Sequence, residues 1–254
     1  MNYNVVFAQD FIELDARYKG VENYIKLIAQ GNVRSLIVNG PPGVGKSFAV
    51  KEYLDVYCPY DYKTVSGHMT LLSLYAALYH YKGRNRVLVL DDVDSVFKSI
   101  EGLNLLKSAM DTRPVRNIHW ESTAAVLNTL GLPQSFNFEG GVILITNVGF
   151  GGTVHKMMSH LTALKDRSFC VPIADSGEDS CFKQLAFMVL HRKLLKDYQF
   201  TPQEELDLLD YIEANRRRLY TVSLRTIVKL ADIYSFDKTT WKAVADQGML
   251  KAIA

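Results

Sequence analysis

The sequence is short of cysteine, with three in 254 residues, at Cys58, Cys170 and Cys181. The number is odd, the spacing is wide and no C-x-x-C occurs. Neither a disulfide framework nor a cysteine zinc site is expected, and the thiols read as reduced. A run of about 18 apolar residues is also missing, which argues against a membrane-spanning helix. The opening Met1-Asn2-Tyr3-Asn4 has no basic segment leading into an apolar stretch, so the expectation is a cytoplasmic protein without membrane contact. Charge of one sign is missing too, since 29 basic and 27 acidic side chains leave a net +2. No global field draws the chain to a polyanion, and any nucleic-acid contact has to come from a local patch. The six histidines show no ligand spacing. There is no internal repeat and no low-complexity linker.

What is present is apolar, 48% of the residues, arranged as short runs that alternate with helical patterns. Ser35–Asn39, Tyr62–Ser66, Val87–Leu90, Val142–Thr146 and Phe169–Pro172 read as strands. Ser47–Tyr57, Thr70–Tyr81, Gly102–Met110 and Val154–Leu164 read as the helices among them. Runs rich in Val, Ile and Leu between helices are the mark of parallel strands covered on both faces, here an open wound α/β sheet. After about residue 178 the strands stop. Cys181–Tyr198 has apolar residues at helical spacing, and Thr201-Pro202-Gln203-Glu204 supplies an N-cap, a proline at N1 and a Glu at N3. Ser223 caps a third helix through Tyr234, and Thr239 or Thr240 a fourth. The expected organisation is an α/β nucleotide-binding core, 1–177, followed by a small all-helical domain, 178–254.

The segment "VNGPPGVGKSF", 38–48, carries the sharpest signal. Gly40-Pro41-Pro42-Gly43-Val44-Gly45-Lys46-Ser47 fits the phosphate-loop pattern G-x-x-x-x-G-K-[ST]. Glycines let the backbone turn its N–H groups inward, and the helix that opens at Ser47 and Phe48 adds the partial positive charge of its N-terminus. Lys46 supplies a charge for the β and γ phosphates and is expected to stand open to them rather than packed in the core. The Ser47 hydroxyl reaches Mg²⁺. The strand Val87–Leu90 ends in Asp91 and Asp92, which in a parallel sheet face the ligand crevice. Asp91 would hold Mg²⁺ through water, and Asp92 would polarise the attacking water. The strand at 141–146 ends in Asn147. If it neighbours the acidic strand, Asn147 can orient the lytic water; otherwise Thr-Asn is a plain turn.

This order of motifs, G-P-P-G-V-G-K-S, L-V-L-D-D, I-L-I-T-N, a basic segment before a last strand and a helical tail, resembles the AAA+ ATPases over nearly the whole chain. Stretches such as "RSLIVNGPPGVGKS", "VLVLDDVDSVF" and "VSLRTIVKLAD" look closer still to AAA+ ATPases of tailed bacteriophages. The resemblance implies a P-loop core of AAA+ type with a helical lid at 178–254. It implies ATP and Mg²⁺ bound at the subunit boundaries of a homo-oligomeric ring, a hexamer in the usual form, working in the host bacterial cytoplasm. It makes Arg167 the arginine finger that reaches a neighbour's γ phosphate, and Arg225 the lid arginine that senses the nucleotide in cis. Without it, Arg167 is a surface arginine before a strand and Arg225 a solvated helix residue. One departure is Asp92 where the family has Glu; its side chain is one methylene shorter, so slow turnover is expected.

Three functions follow. The first is a motor or loader acting on DNA in phage replication or recombination, with single-stranded DNA or a replication or recombination protein as partner. Arg113, Arg116, His119 and Trp120 would grip a single strand by stacking and charge, unless Trp120 packs on the core. Arg216-Arg217-Arg218 is either a second patch or a set of favourable charges at a helix C-terminus. The second is a protein-remodelling ATPase, disfavoured because no aromatic–hydrophobic–Gly triplet lies between Tyr62 and Val87. The third is an ATP-gated assembly module with slow hydrolysis.

Overall fold

The apolar runs become the strands of a parallel sheet in the computed structural model, which describes residues 2–120, 124–147, 155–175 and 177–252. In chain order the elements are α1 (Tyr3–Val6), α2 (Ala8–Ala29), β1 (Ser35–Asn39), α3 (Lys46–Tyr57), β2 (Tyr62–Ser66), α4 (Leu71–His80), β3 (Val87–Asp91), α5 (Asp94–Phe97) and α6 (Ile100–Ala109). They continue with β4 (Asn117–His119), α7 (Ala124–Thr129), β5 (Ser135–Asn137), β6 (Gly141–Thr146), α8 (His155–Asp166) and β7 (Phe169–Pro172). The tail holds α9 (Glu178–Leu190), a 3₁₀ turn at Lys196–Tyr198, α10 (Pro202–Asn215), α11 (Leu224–Phe236) and α12 (Trp241–Met249). Two compact units emerge, one of residues 18–40 and 46–172, the other of residues 1–17, 41–45 and 173–254.

The first unit is built on the sheet, in the order β2-β3-β6-β1-β7, with every pairing parallel. β6 is buried along its whole length, and β1 and β3 in all but their last residue, which is why they read as continuous apolar runs. Ile37, Leu88, Leu90, Val142 and Leu144 form one core with Leu74 and Leu78 of α4 and Leu103 and Leu106 of α6. Each such side chain contributes roughly 1.5–3 kcal/mol by leaving water. The register sets Asn39 opposite Thr146 and Asp91 opposite Ile145. The carboxyl ends of β1, β6 and β3 are therefore level, and Gly40, Asn147 and Asp92 leave the sheet from one edge. β4 and β5 form a separate antiparallel pair, and Trp120, just beyond β4, packs against the core with its ring 5.2 Å from that of Tyr75.

The second unit is helical. Thr201 and Glu204 make the expected capping box, and the Ser223 hydroxyl accepts the Thr226 N–H at the head of α11. The helix expected over 181–198 stops at Leu190. Lys193 and Gln199 take left-handed φ of +53° and +55°, so the chain turns where apolar spacing alone suggested continuation. The fourth helix starts after Thr240, which makes no side-chain cap bond. The nearby Asp237 carboxylate accepts the hydroxyls of Thr239 and Thr240 instead. Residues 1–17 are tied into this unit by Tyr3 Oη donating to Asp210 at 2.6 Å, and by the ion pairs Lys183–Asp10 and Arg17–Asp175, both 2.8 Å. Cys58, Cys170 and Cys181 form no disulfide.

Gly140 marks the tightest approach in the sheet unit, since a Cβ there would lie 2.2 Å from the Tyr81 carbonyl oxygen. Gly140→Ala should cost about 1–3 kcal/mol, because backbone has to move. Gly248→Ala, in α12 with no atom within 4 Å of the added methyl, should stabilise by up to about 1 kcal/mol. Urea unfolding midpoints check both.

Candidate nucleotide-binding site

At the carboxyl edge of the sheet three polar side chains meet. Lys46 opens α3, and its ammonium donates to the Gly40 carbonyl at 2.9 Å and to Asn147 Oδ1 at 2.6 Å. The other end of the same amide, Asn147 Nδ2, lies 2.9 Å from both carboxylate oxygens of Asp92. One amide thus bridges an ammonium and a carboxylate, accepting from one and donating to the other. Asp92 has left-handed backbone, φ +52°, and its N–H donates to the Ile145 carbonyl at 3.0 Å. Aspartate tolerates that conformation better than most residues. The sharp turn brings its carboxylate to Asn147. Lys46 is only 5% exposed, which corrects the expectation of an open lysine. Its side chain folds back onto the ends of β1 and β6 instead of extending outward.

Ser47 and Asp91 line one cleft of about 490 Å³, with Lys51 and Lys63 on its wall. A hydroxyl and a carboxylate are hard oxygen donors of the kind Mg²⁺ takes. Among the described residues no three His, Cys, Asp or Glu side chains converge as a metal site. A cation held here would draw its remaining ligands from water and from phosphate.

The middle of the phosphate loop, residues 41–45, groups with the helical unit. Gly43 and Gly45 have φ of +75° and +95°, a region that glycine occupies freely and side chains do not. The Gly43 carbonyl accepts the Leu224 N–H at 2.8 Å. Arg225, the next residue, is exposed in the first turn of α11. A cation at a helix N-terminus opposes the helix dipole, and an anion nearby would relieve both. Phe48, in the first turn of α3, is 36% exposed.

Arg167 is not brought to this group. It precedes β7 at the opposite edge of the sheet, where its carbonyl accepts the Ser35 hydroxyl and its guanidinium donates to Ala163 O at 2.8 Å. Five residues of strand separate the two edges, roughly 15 Å. The 113–120 grip does not form as expected. Arg116 is 5% exposed, donates to the Ala109 carbonyl at 2.7 Å and lies 5.0 Å from the centre of the Phe138 ring. Burial beside Arg34 lowers its pKa to about 10. Trp120 packs on the core, and Arg113 pairs with Asp111 at 3.0 Å. Arg216 caps the end of α10 and pairs with Asp179 and Glu213. The residue missed in sequence is Gln184 of α9, buried at 1%, whose amide reaches the Val44 carbonyl.

No family model matches the chain. It is 31% identical over 224 residues to the uncharacterized 36.7 kDa protein of the nrdC–mobD intergenic region of Enterobacteria phage T4, covering 86% of this chain and 69% of that protein. The chain belongs to the family of that phage protein. Its fold is that of the AAA+ P-loop ATPases, a parallel-sheet core with a helical C-terminal portion. The Thermotoga maritima RuvB Holliday junction branch migration motor superposes with a TM-score of 0.51 at 14% identity, over 92% of this chain and 68% of that one. Domain III of the Thermotoga maritima replication initiation protein DnaA gives 0.51 at 13%, over 92% and 91%. Brucella abortus NtrX in complex with ATP gives 0.52 at 12%, over 94% of this chain and 53% of that one.

Because Asn147 bridges Lys46 and Asp92, Asn147→Leu leaves the buried ammonium one acceptor short and removes the donor to Asp92. The variant should lose about 1–3 kcal/mol of stability, read from urea unfolding midpoints, and an unchanged midpoint would contradict the bridge.

Proposed function

We propose that this protein is an ATPase that binds ATP with Mg²⁺ and hydrolyses it at the subunit boundaries of a homo-oligomeric ring, driving a motor or loader on DNA. The observation that supports nucleotide chemistry most directly is the Asn147 amide joined to Lys46 and Asp92 where the phosphate-loop motif begins. In this reading Lys46 exchanges protein acceptors for the β and γ phosphate oxygens, and Asp92 accepts the proton of the attacking water. Asn147, already in contact with Asp92, orients that water beside the γ phosphate. Ser47 and Asp91 would hold Mg²⁺, which neutralises charge on the β and γ oxygens when bound. The N–H groups of Gly40–Phe48 cradle the phosphates, and residues 178–254 act as a lid from which Arg225 senses them. Arg167, about a strand's length from its own chain's Asp92, suits a finger offered to the next subunit.

The DNA part of the proposal draws support from the likeness to a branch migration motor and to a replication initiator, and the phage step from the T4 relative. It draws none from Arg116 and Trp120, which are occupied in packing. A second reading, the ATP-gated assembly module, is favoured by one observation. Both oxygens of the short Asp92 side chain are engaged by Asn147, an arrangement suited to slow hydrolysis.

ATPase rates measured alone, with single-stranded DNA and with duplex DNA decide among these. The motor reading expects stimulation by one of the DNAs, and the assembly module expects negligible turnover with ATP-dependent oligomers. Lys46→Met, which keeps the buried stem, should leave the fold intact and weaken ATP binding by roughly ten- to a hundred-fold in calorimetry. Unchanged affinity would remove the nucleotide assignment.

Arg167→Ala should lower turnover steeply, since a finger is worth about 10³–10⁵ in related phosphoryl transfer. Mixing Arg167→Ala subunits with Lys46→Met subunits should restore some activity, because an Arg167→Ala subunit keeps an intact loop and can receive the intact arginine of a Lys46→Met neighbour. Failure to recover in demonstrated mixed oligomers would count against a finger in trans.

A further inference from the structure

A phosphate loop binds anions with its N–H groups, so its carbonyls have to turn away and find donors of their own. Two of them do so within the helical unit, and both donors come from far along the chain. The Gly43 carbonyl takes the Leu224 N–H, one of the groups that the first turn of α11 leaves without an intrahelical partner. The Val44 carbonyl takes Gln184 Nε2 at 3.1 Å in a fully buried bond, with Gln184 1% and Val44 2% exposed. Gly43 also approaches Ser223 so closely that a Cβ would stand 2.7 Å from the serine Cβ.

Gln184 is out of place by any packing argument. Its neighbours in α9, Phe182, Leu185, Phe187 and Met188, are all at most 1% exposed, and a leucine or methionine would fill such an interior without desolvating an amide. The bond to Val44 accounts for the donor end of the amide. We infer that Gln184 is a positioning residue for the nucleotide, holding the Val44 carbonyl outward, beside the Leu224–Gly43 bond, so that the loop presents N–H groups to phosphate. The inference rests on the nucleotide reading above. Gln184 touches no reacting atom; it sets the fraction of time the loop is competent, and apparent affinity falls in proportion to that fraction.

The test uses the full chain, with ATP binding followed by calorimetry and turnover by steady-state kinetics. Gln184→Met keeps length and apolar stem but has no donor. It should bind ATP on the order of ten- to a hundred-fold more weakly, with KM raised and kcat at saturating ATP within about twofold of the parent. Gln184→Glu distinguishes positioning from packing. Ionised, its carboxylate offers the Val44 carbonyl only lone pairs; protonated, it donates. Burial raises the pKa of such a carboxyl, so affinity should be poor near about pH 8 and recover toward the parent's as pH falls to about 6. Parental affinity in Gln184→Met, or a deficit in Gln184→Glu that does not change with pH, overturns the assignment. Should Gln184→Met fail to fold, the pH dependence of Gln184→Glu carries the test. If the parent chain itself binds no ATP, the nucleotide reading fails, and that is seen before any variant is made.

Discussion

Lys46 carries a full positive charge where water hardly reaches, and the sheet edge is arranged around that charge. An ammonium taken out of water without acceptors is untenable in a folded protein. The Gly40 carbonyl and the Asn147 amide oxygen supply acceptors, and they are in place only because β1 and β6 are adjacent and end at one level. The register of the core, the amide at position 147 and the turn at Asp92 together meet that demand. Apolar burial holds the strands together, but this charge decides what their ends have to look like.

The strands were legible. β1, β2 and β7 begin and end where apolar patterning puts them, because fully buried parallel strands leave an uninterrupted apolar run between polar turns. The phosphate-loop pattern and the acidic pair stand out in the sequence because such chemistry demands particular residue types at fixed spacing, and the structure joins Lys46 and Asp92 through Asn147. The 22-residue α2 is hard to see in the sequence although its buried residues, Phe11, Leu14, Tyr18, Val21, Ile25 and Ile28, recur every three or four positions. The charged residues spaced among them break up the stripe. The β4–β5 pair was missed because three-residue strands carry too little pattern to register.

Arg116 and Trp120 look like a nucleic-acid grip in sequence because arginine and tryptophan serve equally well for stacking on bases and for filling a half-polar interior. Composition cannot separate the two uses; the Ala109 carbonyl and the Tyr75 ring do. Lys46 shows the converse. Its place in the motif is plain from sequence, but its burial depends on where two other strands end. Gln184 is the clearest case of illegibility, because nothing within α9 distinguishes a glutamine that points to a loop carbonyl from one that points to solvent. Its partner lies in the phosphate loop, on the far side of the whole sheet unit in sequence.

That sequence distance bears on how the chain comes into being. Residues 41–45 are made well before their packing partners Gln184, Ser223 and Leu224. As it emerges, the sheet unit can gather its local α/β contacts, whereas the loop conformation depends on contacts with a high loop-closure cost and forms late. A nascent chain therefore holds its phosphate-loop residues without the scaffold that arranges them until α11 has been synthesised and docked on Gly43. On the proposed reading, nucleotide competence therefore waits on the helical unit.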